Sequence, residues 1–325
     1  MNDMSPKAHH EGSERRHATP HYALSVRRLT HRRSTRARAR AWMAPLLCSA
    51  ADLERSTNAN ELAMRWARIS TGGFVSHSRR VATALLSLAA LRVEGDFVEA
   101  GTYTGGSSVL MAWALQTEPR STWRYLWAAD SFKGLPKASS VDVFASKHDV
   151  PPTVNGLDNG KNWQPVSHIA GKRVAYGRLT SSRARFEANL RHHASAFVDA
   201  GRLRVVEGWF NDTLKTLPVE RIAFLRLDGD LYESTQQSLA ALYPKLVDGG
   251  LIYIDDFGSF AGAARAVREF RAKHRIQEPM IPIAEPLKGE RRFEAIWWQK
   301  QARMVAGNSS SMAKSRLGCQ HSNRL

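Results

Sequence analysis

The chain has 325 residues, with 47 Lys and Arg against 30 Asp and Glu, a formal net charge of +17 and two cysteines. Two cysteines exclude a disulfide framework, and the lack of any run of about 18 apolar residues excludes a helical membrane span. The charge is uneven. Residues 1–42 carry ten Lys or Arg against Asp3, Glu11 and Glu14, and residues 302–325 carry four against no acid, so only +6 is left for residues 43–301. Both ends lack apolar periodicity and are expected to be disordered tails. A basic tail can bind nucleic acid or an anionic membrane, but a solvated extension is the commoner case. The Arg-rich leader also fits an organelle transit peptide, although its three acids speak against that, and a start at Met43 fits equally. Cys48 and Cys319 lie outside the core, so the default compartment is the reducing cytoplasm.

Residues 43–92 are expected to be a helical segment, in which Ser76 to Leu91 forms a helix under the first strand. From Val93 the pattern alternates between strand and helix, as a doubly wound α/β fold requires. Strand 96–99 leads to helix 106–116, and strand 125–129 leads into an insert spanning 138–179. Helix 182–197, strand 203–206, helix 211–217, strand 222–228, helix 233–246 and strand 251–255 follow. Gly249-Gly250 is read as the stop of the helix before the last of these. An amphipathic helix over Phe260 to His274 precedes two short apolar segments, Pro279 to Ala284 and Phe293 to Trp298. The insert holds Pro151-Pro152, Asn155-Gly156, Asn159-Gly160 and Pro165, all turn formers. A loop of that length is either functional or an ordinary insertion, and Trp163, His148 and His168 in it are candidates for an acceptor pocket or a covering lid. His192-His193 reads as solvated.

The most informative stretch is Ile222 to Phe257, a strand-helix-strand unit with Asp228 closing one strand and Asp255 and Asp256 the other. Parallel neighbours would crowd these acids at the sheet edge where open α/β folds bind ligands. Three carboxylates that close repel unless a cation lies between them or one is protonated. Oxygen ligands with no Cys/His set favour magnesium over zinc. Asp230 and Glu233 read as caps of the following helix. Asp228-Gly229-Asp230 also matches a glycosyltransferase Asp-x-Asp pattern, though three residues carry little weight. Upstream, Gly101, Gly105 and Gly106 form a turn between strand and helix whose spacing, G-x-x-x-G-G, is not that of a dinucleotide cradle. With Glu99, Asp130 and Glu207 at three further strand ends, the turn points to a nucleoside site, Asp130 suiting a ribose diol.

Long runs then carry a resemblance: FVEAGTYTGG, AADSFKGLP around Asp130, RVVEGWFNDTL, FLRLDGDLYEST, LYPKLVDGGLIYIDDFG and FEAIWW. Over Val93 to Trp298 the chain resembles the macrocin O-methyltransferase family, S-adenosylmethionine-dependent enzymes that methylate hydroxyls on the deoxysugars of macrolide antibiotics. Residues 138–179 match weakly, and the basic N-terminus departs from the family. The resemblance implies a mostly parallel, doubly wound sheet ending in an antiparallel hairpin, with the methyltransferase domain over 93–301. It implies that Asp228, Asp255 and Asp256 bind Mg and that Glu99, Gly101, Gly105 and Asp130 form the S-adenosylmethionine pocket. Thr102, Ser131 and Glu207 complete that candidate pocket.

Methyl transfer to an alcohol needs the acceptor oxygen held in line with the methyl group, about 3–3.5 Å away before reaction. A divalent cation lowers the pKa of an oxygen that it holds, and a carboxylate can take the proton. Asp228 is the candidate for that base, besides its place in the metal trio. The expected function is Mg-assisted O-methylation of a small hydroxylated acceptor, a sugar or glycosylated natural product. A phenol or catechol, or an RNA ribose, would fit the same trio. A nonenzymatic nucleic-acid-binding protein on this fold is disfavoured by the intact acids. Oligomerisation is left open.

Overall fold

The computed structural model describes residues 50–118, 123–145, 163–165, 179–287 and 290–302, all within one compact unit, residues 39–325. The segments 1–49 and 303–325, which take in Cys48, Cys319 and nearly all of both basic tails, lie outside the described residues. So does most of the insert, including His148 and His168.

Helices α1 (Ala50–Trp66) and α2 (His77–Ala90) precede the first strand, β1 (Asp96–Ala100). Then come α3 (Gly106–Thr117), β2 (Leu126–Asp130), β3 (Trp163–Pro165), α4 (Arg183–Asp199), β4 (Leu203–Glu207), α5 (Phe210–Thr213) and β5 (Ile222–Leu227). The chain finishes through α6 (Tyr232–Leu242), β6 (Leu246–Ile254), α7 (Ala261–Lys273), β7 (Ile281–Leu287) and β8 (Glu290–Gln299). The strands form one sheet in the order β3-β8-β6-β5-β1-β2-β4, with β7 paired to β8. Strands β6, β5, β1, β2 and β4 run parallel, while β8 is antiparallel to both β6 and β7. This is the doubly wound sheet with a terminal hairpin that the alternation and the resemblance led us to expect.

The central strands are buried on both faces, so they read as continuous apolar runs rather than alternating ones. Side chains of β1, β5 and β6 nevertheless divide by face. Val98, Leu225, Ile252 and Ile254 pack with α6 and α7 (Leu239, Leu242, Val267), while Phe97, Phe224 and Tyr253 pack with α2, α3 and α4 (Leu86, Val109, Phe186). Helix α1 adds a third layer on α2 and α3 through Ala63, Leu85 and Leu110.

Three elements depart from the sequence expectation. Gly249 and Gly250 do not stop a helix at a strand's edge. Helix α6 ends at Leu242, a 3-10 turn covers Tyr243–Lys245, and β6 already begins at Leu246 and runs through both glycines. Their place in the strand is eased by a register shift against β5. Helix α5 is a single turn of four residues. The insert contributes a short parallel strand, β3, on the edge of β8, which its turn-forming composition hid.

Gly101 follows β1 with φ +92°, and a Cβ there would run into the Asp228 backbone carbonyl. Its N–H donates to the Ala129 carbonyl at 2.8 Å, and the Asp228 N–H donates to Ala100 at 2.8 Å, so the ends of β2, β1 and β5 are pinned together at this residue. The glycine is therefore required by the chain's own backbone before any ligand arrives. Gly101→Ala combines a left-handed residue with that collision. It should cost at least about 3 kcal/mol and lower Tm by roughly 6–12 °C at ~2–4 °C per kcal/mol, with or without ligand. A calorimetric scan showing an unchanged Tm would contradict this placement.

Candidate active site

The carboxyl ends of β1, β2, β5 and β6 open into a cavity of about 700 Å³, within the usual range for small-molecule sites. Its lining includes Glu99, Gly101, Thr102, Asp130, Ser131, Asp228, Asp255 and Asp256. Gly105 lies just behind the wall. With φ +85° it is the N-cap of α3, and a Cβ on it would press on Leu190 and Phe186 of α4. Its neighbours Gly106 and Ser107 do face the cavity, at a helix start without a side-chain cap, where free N–H groups suit an anionic or polar ligand group. Glu207 is not among the lining residues. It ends β4 half-exposed, 3.7 Å from Arg183, and the wall beyond β4 is built instead by Trp209, Phe210 and Asn211. Only the backbone of Trp163 is described, in β3.

Asp130 is held by the main chain. Its Oδ2 accepts from the N–H groups of Thr102 at 2.8 Å and Tyr103 at 2.9 Å, and its Oδ1 accepts from Phe132 at 2.8 Å. A carboxylate has about four acceptor positions, and these three bonds, with a longer one from the Thr102 hydroxyl to Oδ2 at 3.5 Å, spend them on fastening the glycine turn to the end of β2. This leaves room for at most about one ligand hydroxyl, in place of the weak Thr102 contact, rather than a whole diol. The Ser131 hydroxyl closes the next turn, accepting from Lys133 and donating to Gly134.

Below the cavity lies a residue that the sequence reading passed over. Arg226 of β5 is fully buried, with Glu99 and Tyr253 as its registered neighbours on β1 and β6. Its Nη1 donates to Glu99 Oε1 at 2.9 Å and to Asp228 Oδ2 at 2.6 Å, and its Nη2 donates to Asp255 Oδ1 at 3.0 Å. The guanidinium also lies over the Tyr253 ring, 5.0 Å from its centroid. A second arginine, Arg79 in the first turn of α2, donates to Asp255 Oδ2 at 2.6 Å and pairs with Glu294. The signal for Arg226 was in plain view, since an arginine inside FLRLD, in a strand buried on both sides, has to find carboxylates.

These contacts divide the acids. Carboxylate oxygens of Asp228, Asp255 and Asp256 lie within 4.8 Å of one another, close enough to hold a metal ion. Burial alone would raise Asp255, but Arg79, Arg226 and the Tyr253 hydroxyl, at 2.6 Å, outweigh it and hold Asp255 below the ordinary carboxylate range. Asp256 is pushed well up by burial and by the charges of Asp230, Asp228 and Asp255. Asp228 is raised by burial and by Asp255, against Arg226. Asp230 joins this group. It does not cap α6, whose N-cap is Leu231. It is buried at φ +57°, with its N–H donated to Asp256 Oδ2 at 3.2 Å, and burial with the Asp228 charge holds its own carboxyl well above the ordinary value. Carboxyls raised in this way for want of a counter-charge suit a hard cation, which would compete with protons for them. Glu99 is raised to about 7 by burial, against Arg226 and a hydrogen bond from Ser108.

The chain matches the model of the Macrocin-O-methyltransferase (TylF) family over residues 76–157 and 156–300. Demethyldecarbamoylnovobiocin O-methyltransferase of Streptomyces niveus is 32% identical over 210 residues, 64% of this chain and 67% of that protein. The 8-demethyl-8-(2,3-dimethoxy-alpha-L-rhamnosyl)-tetracenomycin-C 4'-O-methyltransferase of Streptomyces olivaceus is 35% identical over 192 residues, 59% of this chain and 63% of that protein. The chain thus spans about two thirds or slightly less of the length of these relatives. Among solved structures, the O-methyltransferase NovP is 29% identical with a TM-score of 0.49, over 70% of this chain and 81% of that one.

Arg226→Met removes the cation shared by three carboxylates and should cost about 3–5 kcal/mol in urea unfolding. The loss should shrink as the pH falls from 7 to 5. Glu99 already titrates near 7 in the fold, above its ordinary 4.5, so the folded state binds the extra proton and gains stability as pH falls through that window. Without the guanidinium, Glu99 and Asp228 rise further in the same direction. A deficit independent of pH would show that the carboxylates do not depend on Arg226 for their charge.

Proposed function

This chain belongs to the macrocin O-methyltransferase family, and we propose that it transfers a methyl group from S-adenosylmethionine to a hydroxyl of a glycosylated small molecule, assisted by Mg. The observation that carries the proposal is the juxtaposition, in one cavity, of the glycine turn at the end of β1 with the carboxylate cluster at the ends of β5 and β6. S-adenosylmethionine supplies an activated methyl group on sulfur. Residues suited to hold it are Gly101 and Thr102 at the turn, Gly106 and Ser107 at the start of α3, and Asp130 with Ser131 after β2. Magnesium supplies a Lewis acid that positions an acceptor oxygen and lowers its pKa, and Asp228, Asp255 and Asp256 are the residues suited to hold it.

The chain's own groups have distinct tasks in this reading. Asp255, engaged on both oxygens by Arg79 and Arg226, keeps the charge that the cluster needs. Asp228 has Oδ2 on Arg226, which leaves Oδ1 to serve as ligand or as the base that takes the acceptor's proton. Phe144, Trp209, Phe210 and Phe260 make an apolar wall that excludes water from the reacting centre.

The charge of the cavity favours a neutral acceptor over RNA or a phosphorylated one. Among the described lining residues there are eight acids and one cation, Arg79, itself paired with Asp255 and Glu294. Such a surface repels phosphate, whereas sugar hydroxyls can donate to carboxylates. Both relatives compared above have names that describe O-methyl transfer to natural products, one of them to a rhamnosyl compound.

The test is transfer of labelled methyl groups to a panel of glycosides, phenols and RNA. A glycoside should be labelled and RNA should not, and labelling of RNA alone would refute the acceptor class. S-adenosylhomocysteine at 100 times its Kd should stabilise the fold by about 2.7 kcal/mol. A strong chelator should abolish turnover while leaving that stabilisation intact, and turnover surviving the chelator would remove metal assistance. Asp228→Asn should lower kcat by about 10²-fold or more with little change in cofactor affinity. Asp255→Asn should also lower stability, because it uncouples two buried arginines.

A further inference from the structure

The segment between β2 and β3 begins by packing across both loops that carry the clustered acids. Asp142 lies there, in chain without regular structure, and is only 1% exposed. Its Oδ1 accepts from the N–H of Tyr232, the first residue of α6, at 2.7 Å. Its Oδ2 accepts from the N–H of Ser139 at 2.7 Å and from the Ser139 hydroxyl at 2.6 Å. Helix α6 has no side-chain cap of its own, so a carboxylate from 90 residues away takes over that task. The same carboxylate presses on the first turn of α7, where a side chain at Gly262 would collide with Oδ1.

Backbone bonds extend the seam. The Ala145 N–H donates to the Ser259 carbonyl at 2.8 Å, and the Ala261 N–H donates to Val143 at 2.9 Å. The rings of Phe144 and Phe260 pack with centroids 5.1 Å apart. The loop bearing Asp228 and Asp230 ends at Tyr232, and the loop bearing Asp255 and Asp256 ends at Ala261. Pairing of β5 with β6 finishes at Leu227 and Ile254, with one further bond from the Asp255 N–H to the Leu227 carbonyl at 2.9 Å. Beyond that point the loops meet again where the Asp230 N–H donates to Asp256 Oδ2 at 3.2 Å, and the seam through Asp142 joins their far ends, beside an exposed bond from the Tyr232 hydroxyl to Glu269.

We propose that Asp142 is a positioning residue for the carboxylate cluster, locking the start of α6 to the start of α7 and so fixing the spacing of Asp228 and Asp230 relative to Asp255 and Asp256. Its effect on chemistry rests on the reading of that cluster as a cation site. Cation affinity depends on ligand oxygens held in place by the groups around them, and loss of such a supporting group typically weakens it 10- to 100-fold. Asp142 makes none of the contacts that fasten the glycine turn, so the cofactor end of the cavity should not respond.

The experiment compares Asp142→Ala and Asp142→Asn with the wild-type full-length chain, using Mn²⁺ binding by electron paramagnetic resonance, S-adenosylhomocysteine binding by calorimetry, amide exchange at Tyr232, and kcat with KM. The alanine variant should lose Tyr232 protection and bind Mn²⁺ about 10- to 100-fold more weakly, with S-adenosylhomocysteine affinity within about twofold of wild type. Asparagine can still accept from Tyr232 but not from the Ser139 N–H, and should fall between, about threefold or more below wild type by the same principle. An alanine variant with an exposed Tyr232 amide but unchanged Mn²⁺ affinity and kcat overturns the proposal. A parallel loss of Mn²⁺ and S-adenosylhomocysteine affinity also overturns it, since that marks a general role in the fold. If the alanine variant does not fold, the asparagine variant decides on the same threefold criterion. A wild-type chain that binds no Mn²⁺ would defeat the cation reading itself. Asp142 would then stand or fall on whether kcat drops at constant KM for S-adenosylmethionine.

Discussion

A guanidinium without solvent contact sits at the centre of this protein, and the site above it is possible only because of it. Arg226 lies in β5, between β1 and β6 inside the sheet, and reaches acids at the end of its own strand and on both neighbours. Three carboxyls in so small a volume would otherwise have to stay protonated or force the strand ends apart. One arginine, with Arg79 reinforcing it from α2, permits Asp255 to keep its charge inside the core while Asp228 remains at the cavity surface. Removing either member strands its partners, whereas the whole set is self-consistent. The arrangement buys position rather than stability.

Two further constraints build the cavity on this base. On one side the Asp130 carboxylate gathers the Thr102, Tyr103 and Phe132 N–H groups, so the turn after β1 is shaped by the end of β2. On the other, Asp228 and Gly101 are in backbone contact, so the turn after β1 is also shaped by the end of β5. The turn therefore has little freedom of its own. A ligand entering the cleft meets a surface already formed, as expected where a doubly wound sheet reverses its strand order.

The sequence made the alternation legible from Val93 onward, because strands buried on both faces and helices with an apolar stripe differ in period. It also made legible the acids at the ends of β5 and β6 and the glycines after β1, because residue types that serve badly in a core were concentrated at strand ends. It did not make Arg226 or Arg79 legible as parts of the site. Arg226 does stand two residues before Asp228, but its other partners, Asp255 and Glu99, lie 29 and 127 residues away, and Arg79 meets Asp255 across 176 residues. Asp230 was misread for a related reason. A carboxylate at the start of a helix usually caps it, and only the fold reveals that the loop turns this one toward Asp256 while the cap comes from Asp142. Glu207 shows the converse, since it ends an outer strand and is not among the residues that line the cavity. The glycine pair in β6 looked like a helix stop because propensity cannot weigh the register shift that accommodates it.

The register of Glu99, Arg226 and Tyr253 across β1, β5 and β6 also has a meaning for the chain before it is folded. The apolar run Ile222–Leu227 is of the kind that self-associates when exposed, and it contains a single charge, Arg226. Until β1 and β6 arrive, that charge is hydrated, with only Asp228 beside it in sequence, and it discourages the segment from pairing with another copy of itself, as gatekeeper residues do. Its burial against Glu99 and Asp255 comes only with the native neighbours, the first of them 127 residues distant. The arginine that organises the finished site thus doubles as a check on assembly, because β5 can bury its charge only by docking between the strands that bring Glu99 and Asp255.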